Sequence, residues 1–285
     1  MVEDPEVEAE LREAIRICVF RDFPGARRGP AHNQRRLEFR MHEETCEAIA
    51  RCVRRVQALV PPPARILEVG SGTGAWATAL SLAGYDVTGI DPNEPGVRAA
   101  TLRALRYPQI QPRFTVARGE RIPYPDDSFD LVVSNQVMEH VEGREAFARE
   151  CHRVLKPGGI MLHHMPNYGF PWELHYRIPW PPRASRRVAR AYLRLIRRDT
   201  RLFDEEIFPT MPKAIRRTFA DAGMVDLRNL YEEELAAKFQ RGAFTRAWLA
   251  PGIRLLRAVG AASLFLKLVL RLELYPGIVL TGRKP

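Results

Sequence analysis

The heptapeptide Glu68-Val69-Gly70-Ser71-Gly72-Thr73-Gly74 constrains the fold of this chain more than any other stretch. It follows the short apolar run Ile66–Val69 and opens into a helical stretch, Trp76–Leu82. A strand-to-helix turn with glycine at every second position lets the backbone come close to a ligand. Glycine tolerates left-handed dihedrals and places no side chain in the way. Asp91 closes the next apolar run, Asp86–Ile90, where an acid can accept hydrogen bonds from ribose hydroxyls. The spacing alone leaves two readings open. Gly70-x-Gly72-x-x-Ala75, with an acid about 20 residues on, also fits a dinucleotide fingerprint.

The alternation continues along the chain. Leu131–Ser134 and Ile160–His164 are further strand candidates, and Gly96–Leu105 and Gly143–Leu155 further helices. Short strands separated by helices predict an α/β fold, a doubly wound Rossmann-like sheet that is mostly parallel and covered on both faces. After Pro166 the pattern lapses. It resumes with a helix at Lys213–Ala222 closed by Gly223, a strand at Val225–Leu230 and a last, antiparallel strand in Leu274–Thr281. Residues 5–20 and 34–59 read as helices, the second from the recurrence of Leu37, Met41, Thr45, Ala48, Cys52, Val56 and Leu59. Pro61-Pro62-Pro63 ends it. The expected organisation is an N-terminal helical cap over 1–60 and a main domain over 61–285. Within the latter lie an insertion over 167–210 and a helical C-terminal insertion over 235–272.

A chain of 285 residues with 46% hydrophobic content buries a substantial core. Its acidic start, Met1–Glu6, lacks the positive and apolar pattern of a secretory signal, which predicts a cytoplasmic location. Cys18, Cys46, Cys52 and Cys151 lie far apart without a C-x-x-C pair, so neither a metal site nor a disulfide framework is expected. The net charge of +10 is concentrated. Residues 177–201 hold nine Arg against Asp199, and residues 238–285 hold nine Lys or Arg against Glu273, so the remainder is mildly acidic. This distribution argues against a surface coated for nucleic acid.

Four segments within residues 64–166 resemble, in order, the class I S-adenosylmethionine-dependent methyltransferases, and among them the type 11 family. Ile66–Gly74 resembles the first motif, with its acid two residues before the first glycine. The run from Arg121-Ile122-Pro123-Tyr124-Pro125 to Val133 resembles the lead into the fourth strand. Asn135-Gln136-Val137-Met138-Glu139-His140-Val141 resembles the turn after it, and Arg153-Val154-Leu155-Lys156-Pro157-Gly158-Gly159 the bend before the fifth strand. The resemblance implies S-adenosylmethionine as cofactor, bound by Glu68, Gly70, Ser71, Gly72, Gly74, Asp91, Pro92, Gly119, Glu120, Asn135 and Gln136. Glu68 and the loop amides of Gly70 and Gly72 would surround the methionine portion. Asp91 would take the ribose diol, Gly119 would give a backbone N–H to adenine, and Gln136 would contact the methionine end. One departure stands out: Arg118 occupies a position where the family often has an Asp that accepts from the adenine amino group. Either Glu120 substitutes for it or the adenine contact is backbone only.

Methyl transfer from a sulfonium is an in-line displacement; a hydroxyl acceptor must also lose a proton. The candidate bases are His140, His163, His164 and His175. His140 lies in the family-like turn, where a histidine can simply orient backbone. His163 and His164 point to opposite faces of one strand, so at most one reaches the cleft. His175 belongs to the aromatic-rich stretch Asn167–Trp180. That stretch reads as an acceptor pocket or lid, or equally as a loop that packs its aromatics on the core. The helix Arg183–Arg198 carries Val188, Tyr192, Leu195 and Ile196 on one face and Arg183, Arg187, Arg190, Arg194 and Arg197 on the other. Together with the apolar stretch 253–272 it reads as a peripheral contact with the inner face of a membrane, or as capping helices with a solvated Arg face. The expected function is O-methylation of a small-molecule acceptor: a natural product, a sugar or a lipid-linked intermediate. RNA methylation is a second reading, although no nucleic-acid partner is expected. Ser134-Asn135-Gln136-Val137 lacks the acid or Asn followed by Pro-Pro-aromatic that clamps a nucleobase amine. A dinucleotide oxidoreductase and a non-catalytic scaffold on the same fold also stay open.

Overall fold

The computed structural model describes residues 4–18, 30–241, 255–256, 258 and 260–285. Seven strands form the main sheet: β1 (Arg65–Val69), β2 (Asp86–Asp91), β3 (Arg113–Val116), β4 (Phe129–Asn135), β5 (Leu155–Pro166), β8 (Val225–Asn229) and β9 (Gly277–Arg283). A separate two-stranded hairpin joins β6 (Trp172–Glu173) to β7 (Ile178–Pro179). The main sheet has the order β3-β2-β1-β4-β5-β9-β8, and only β9 runs against its neighbours. The doubly wound, mostly parallel sheet with an antiparallel last strand is therefore the architecture observed.

The central strands read as continuous apolar runs because both of their faces are covered. Leu67, Val69, Val132 and Met161 point to one face, against Phe147 and Cys151 of α6 (Arg144–Val154) and Ile215 and Phe219 of α9 (Pro212–Asp221). Their neighbours Ile66, Leu131, Val133 and Leu162 point to the other. There they meet Ile49 and Val56 of α3 (Glu47–Leu59) and Trp76 and Leu80 of α4 (Ala75–Leu82). β3 was not legible in the sequence; it is a four-residue edge strand with no fully buried side chain.

The N-terminal helices α1 (Pro5–Arg16) and α2 (Pro30–Met41) pack on α5 (Glu94–Leu105) through Leu11, Ile15, Leu37 and Met41. The single helix expected over 34–59 is two helices, α2 and α3, separated by the 3-10 turn Glu43–Thr45. The break has a physical cause. Glu44 turns inward, pairs with Arg103 and Arg106 and accepts from the Tyr107 hydroxyl (2.9 Å). The carbonyl of Met41, free at the end of α2, accepts from Arg103 (3.1 Å) and Arg106 (2.6 Å) instead of from a following helical turn.

The stretch 167–210 contains the hairpin, α7 (Arg186–Leu195) and α8 (Arg201–Glu205), around a small core of Tyr168, Ile178, Trp180, Ala189, Leu193, Phe203 and Ile207. The polarity of α7 differs from the sequence reading. Ala189 and Leu193 point inward, while Val188 and Leu195 are 55% and 80% exposed. Arg186 lies beneath the helix, donating to the carbonyls of Phe203, Asp204 and Ile207 at 2.7 Å, and so fixes which face turns in. Of the helical stretch expected over 235–272, the structure shows α10 (Leu230–Arg241) and α11 (Ala262–Arg271). Residues 242–254, 257 and 259 of that expectation lie outside the described residues.

Candidate active site

Strand order reverses between β1 and β4, and in open α/β sheets a crevice forms at the carboxyl ends of strands at such a switch point. The expected cofactor residues converge there: Gly70–Gly74 after β1, Pro92 after β2, Gly119 and Glu120 after β3, and Gln136 after β4.

The three loop glycines have different reasons to be glycine. All have positive φ. A Cβ on Gly70 would lie 2.2 Å from Val137 Cγ2, and one on Gly74 would lie 2.7 Å from Ala100 Cβ, so both serve close packing. A Cβ on Gly72 would meet nothing within 4 Å, which marks it as the glycine facing open space. Gly119, by contrast, is buried against Phe147 and Val69, where a Cβ would sit 2.5 Å from the Phe147 ring.

The loop amides correct one expectation. The N–H groups of Gly70 and Ser71 both donate to the Ile90 carbonyl (2.7 and 2.9 Å), and the N–H of Gly72 donates to Asp91 Oδ2 (2.8 Å). These donors tie the loop to β2, so they do not surround a ligand. Two buried side-chain oxygens of this segment have no protein partner, Glu68 Oε2 and Ser71 Oγ. Burial raises the Glu68 carboxyl well above its ordinary pKa, against the N–H of Ala77 that it accepts. Burial also raises Asp91, opposed by the amides of Asn93 and Gly72. Each Asp91 oxygen accepts from one amide, Oδ2 from Gly72 and Oδ1 from Asn93, and an oxygen of a carboxylate has a second lone pair. Arg118 is exposed and Glu120 half-buried. Asn135 is tied back, its Oδ1 accepting from His164 Nδ1 (2.7 Å), and Gln136, at φ +57°, donates its N–H to the His164 carbonyl (2.7 Å).

The histidines separate cleanly. His163 is fully buried, stacked on Phe219 at 4.8 Å and within 2.6 Å of Ser134 Oγ. Burial lowers its pKa to about 3. It is a core residue, and its candidacy as a base is withdrawn. His164 points to the opposite face, as the alternation requires. His140 and His175, which are 35 residues apart, come together with ring centroids 5.5 Å apart. Nδ1 of His140 donates to the Glu206 carbonyl (2.8 Å), and Nδ1 of His175 donates to the carboxylate of buried Glu173 (2.7 Å). Burial works against a charged His175, but the hydrogen bond and charge of Glu173 outweigh it and raise its pKa. Glu173 also accepts from the N–H of Tyr176 (2.6 Å), which fixes the hairpin turn carrying His175. Glu139 completes the group: it is fully buried, and burial pushes its pKa up to about 7. Sequence reasoning passed over Glu139 and Glu173. The only available signal was their adjacency to His140 and their place in the same hairpin as His175.

Residues 67–163 match a family model described as a methyltransferase domain. A probable S-adenosylmethionine-dependent methyltransferase of Mycolicibacterium smegmatis is 36% identical over 144 residues, covering 50% of this chain and 51% of that protein. A ubiquinone biosynthesis O-methyltransferase of Bradyrhizobium diazoefficiens is 33% identical over 157 residues, covering 54% and 60% respectively. The chain thus spans between about half and three fifths of these curated relatives. Among solved structures, the phosphoethanolamine N-methyltransferase 2 of Haemonchus contortus shares the fold, with a TM-score of 0.54 at 18% identity over 83% of this chain and 52% of that one. Fold and crevice together define the class I methyltransferase architecture. Within it, residues 67–163 match the type 11 methyltransferase-domain model. The dinucleotide reading left open by glycine spacing falls with this match and with the antiparallel β9.

Proposed function

We propose that this chain transfers the methyl group of S-adenosylmethionine to a hydroxyl oxygen of a small molecule. The observation that carries the donor half is the glycine loop: open space over Gly72 beside two partnerless buried oxygens, on Glu68 and Ser71. A carboxyl oxygen and loop carbonyls are acceptors, and acceptors suit the ammonium of a methionine portion. The same reading assigns the ribose diol to Asp91, whose oxygens each hold one amide. The bound cofactor supplies an electrophilic methyl group on a sulfonium. The residues bind it and align the acceptor hydroxyl, whose proton leaves as the C–O bond forms.

On the acceptor side stand His140 and His175, backed by Glu139 and Glu173. The likeness to a ubiquinone biosynthesis O-methyltransferase supports oxygen as the acceptor atom. Exposed Trp172 and Leu174, next to His175, offer apolar surface to an acceptor with an apolar portion, such as a lipid-linked intermediate. That acceptor class goes with a peripheral contact between the protein and an anionic lipid surface, through the exposed residues of α7 and α11.

The test is a titration of the full chain with S-adenosylmethionine and with NAD, followed by transfer of labelled methyl to a panel of hydroxylated acceptors. Binding of S-adenosylmethionine alone, with label on an oxygen, is the result expected. Binding of NAD alone, or of neither, overturns the donor half. Label appearing on RNA or on nitrogen overturns the acceptor half.

A further inference from the structure

The turn after β4 and the β6–β7 hairpin bring Glu139, His140 and His175 around one point, with a candidate ligand atom from each within 4.8 Å of the others. The two imidazoles are held in fixed tautomers. A backbone carbonyl can only accept, so Nδ1 of His140 carries the proton it shares with Glu206. Nδ1 of His175 likewise faces the Glu173 carboxylate. In both rings Nε2 is left as the lone-pair donor.

Glu139 is the unusual member. It is fully buried, and neither of its carboxylate oxygens has a hydrogen-bond partner. Protonation would not resolve this, since a carboxylic acid has its own O–H to place. Arg144 is the neighbouring cation, but its guanidinium donates to the carbonyls of Met138, Phe208 and Pro209. The buried site therefore carries two carboxyl groups, Glu139 and Glu173, and two imidazole lone pairs.

We infer that Glu139, His140 and His175 form a binding site for a divalent transition-metal ion. Two imidazole nitrogens and one carboxylate are the donor set of open zinc and related first-row sites; calcium and magnesium prefer oxygen throughout. Engagement of the second nitrogen of each ring by a carbonyl or a carboxylate is the outer support that metal-ligating histidines require. Three protein ligands leave coordination positions free for an acceptor. A role for the ion rests on the methyl-transfer reading. As a Lewis acid it would lower the pKa of the acceptor hydroxyl, whose proton passes to solvent water. The C–O bond then forms as the C–S bond breaks, and that electron pair returns to sulfur.

The experiment titrates chelator-treated full-length protein with Co2+, read by visible absorption, and with S-adenosylmethionine, read by calorimetry. One Co2+ per chain is expected, displaced by Zn2+. Glu139→Gln, His140→Ala and His175→Ala should each weaken Co2+ binding by at least about 100-fold. Glu173→Gln, which touches only His175 among the three ligands, should weaken it by roughly 10–100-fold at unchanged stoichiometry. S-adenosylmethionine binding should persist in every variant, which also reports that the fold is intact. Protein that binds S-adenosylmethionine but no Co2+, or ligand variants that bind Co2+ as well as wild type, would overturn the metal site. Co2+ binding without S-adenosylmethionine binding would leave the metal site standing and overturn the donor reading instead.

Discussion

Gly70 and Gly72 lie two residues apart in one loop, yet substitution should separate their roles. Both have positive φ, so an alanine at either costs about 1–2 kcal/mol of backbone strain. At Gly70 the new Cβ would also press on Val137 Cγ2, adding roughly 1–3 kcal/mol of overpacking. Gly70→Ala should therefore lose the larger share of unfolding free energy in denaturant titration. At Gly72 the methyl group enters open space. Gly72→Ala should keep a melting temperature closer to wild type but bind S-adenosylmethionine more weakly, because the methyl occupies the ligand's side of the loop. Equal losses of stability in the two variants, or wild-type affinity in Gly72→Ala, would contradict this division of labour.

At the scale of elements, β5 carries adjacent histidines into two hydrophobic faces, which ties stability to pH. Burial lowers His163 to about 3 and His164 to about 4. An unfolded histidine takes up a proton near pH 6.5, which these folded ones refuse. The sign follows: their contribution is complete above about pH 6.5 and is lost as pH falls toward 4, at about 1.4 kcal/mol per pH unit for each histidine. Unfolding titrations of wild type and His163→Leu between pH 7 and 5 should differ in slope by about one proton; parallel slopes would refute the assignment. The turn between α2 and α3 gives a second test. Glu44 is the buried anion between Arg103 and Arg106, and Arg103 also donates to the Thr73 carbonyl in the glycine loop (2.7 Å). Glu44→Gln leaves buried Arg103 without its carboxylate partner and Arg106 with Glu8 alone, and should cost about 3–5 kcal/mol in denaturant unfolding; a cost near zero would show that the network is not a clamp. These elements also show where sequence reading ends. Strands β1, β2, β4 and β5 were legible because apolar runs buried on both faces carry their own signal, and the glycine loop because its dihedrals demand glycine. β3 was not, being short and half-exposed at the sheet edge. The break at Glu43–Thr45 was hidden because Met41, Thr45 and Cys52 keep helical spacing across it, while its cause lies about 60 residues away in Arg103. His140 and His175 were legible as residue types. Their convergence was not, since it depends on how the hairpin folds over the turn after β4.

For the whole molecule, the uneven charge acquires a location. Arg183 donates to the Leu272 carbonyl (2.9 Å), tying the first basic segment to the residue that follows α11. Leu264, Phe265 and Leu268 of α11 are exposed at helical spacing, next to exposed Lys267 and Arg271. On α7, exposed Val188 and Leu195 stand among exposed Arg187 and Arg194, with exposed Arg198 just beyond the helix end. A solvated helix face carries charge without large apolar groups; these two carry both, the composition that settles on an anionic interface. Among the described residues no helix is long and apolar enough to cross a membrane; the contact proposed above is with a membrane surface. Each basic residue near an anionic leaflet contributes about 1 kcal/mol, a term that salt screens. Co-sedimentation should accordingly show binding to vesicles rich in anionic lipid at low salt, release at high salt, and little binding to neutral vesicles. Leu264→Glu with Leu268→Glu should weaken binding by removing apolar contact and adding repulsion, while S-adenosylmethionine affinity in solution stays at the wild-type value. Absence of binding at low salt, or equal binding to neutral and anionic vesicles, would return both helices to the role of ordinary solvated caps. The acceptor would then have to reach the His140–His175 side of the crevice from solution rather than from a lipid surface.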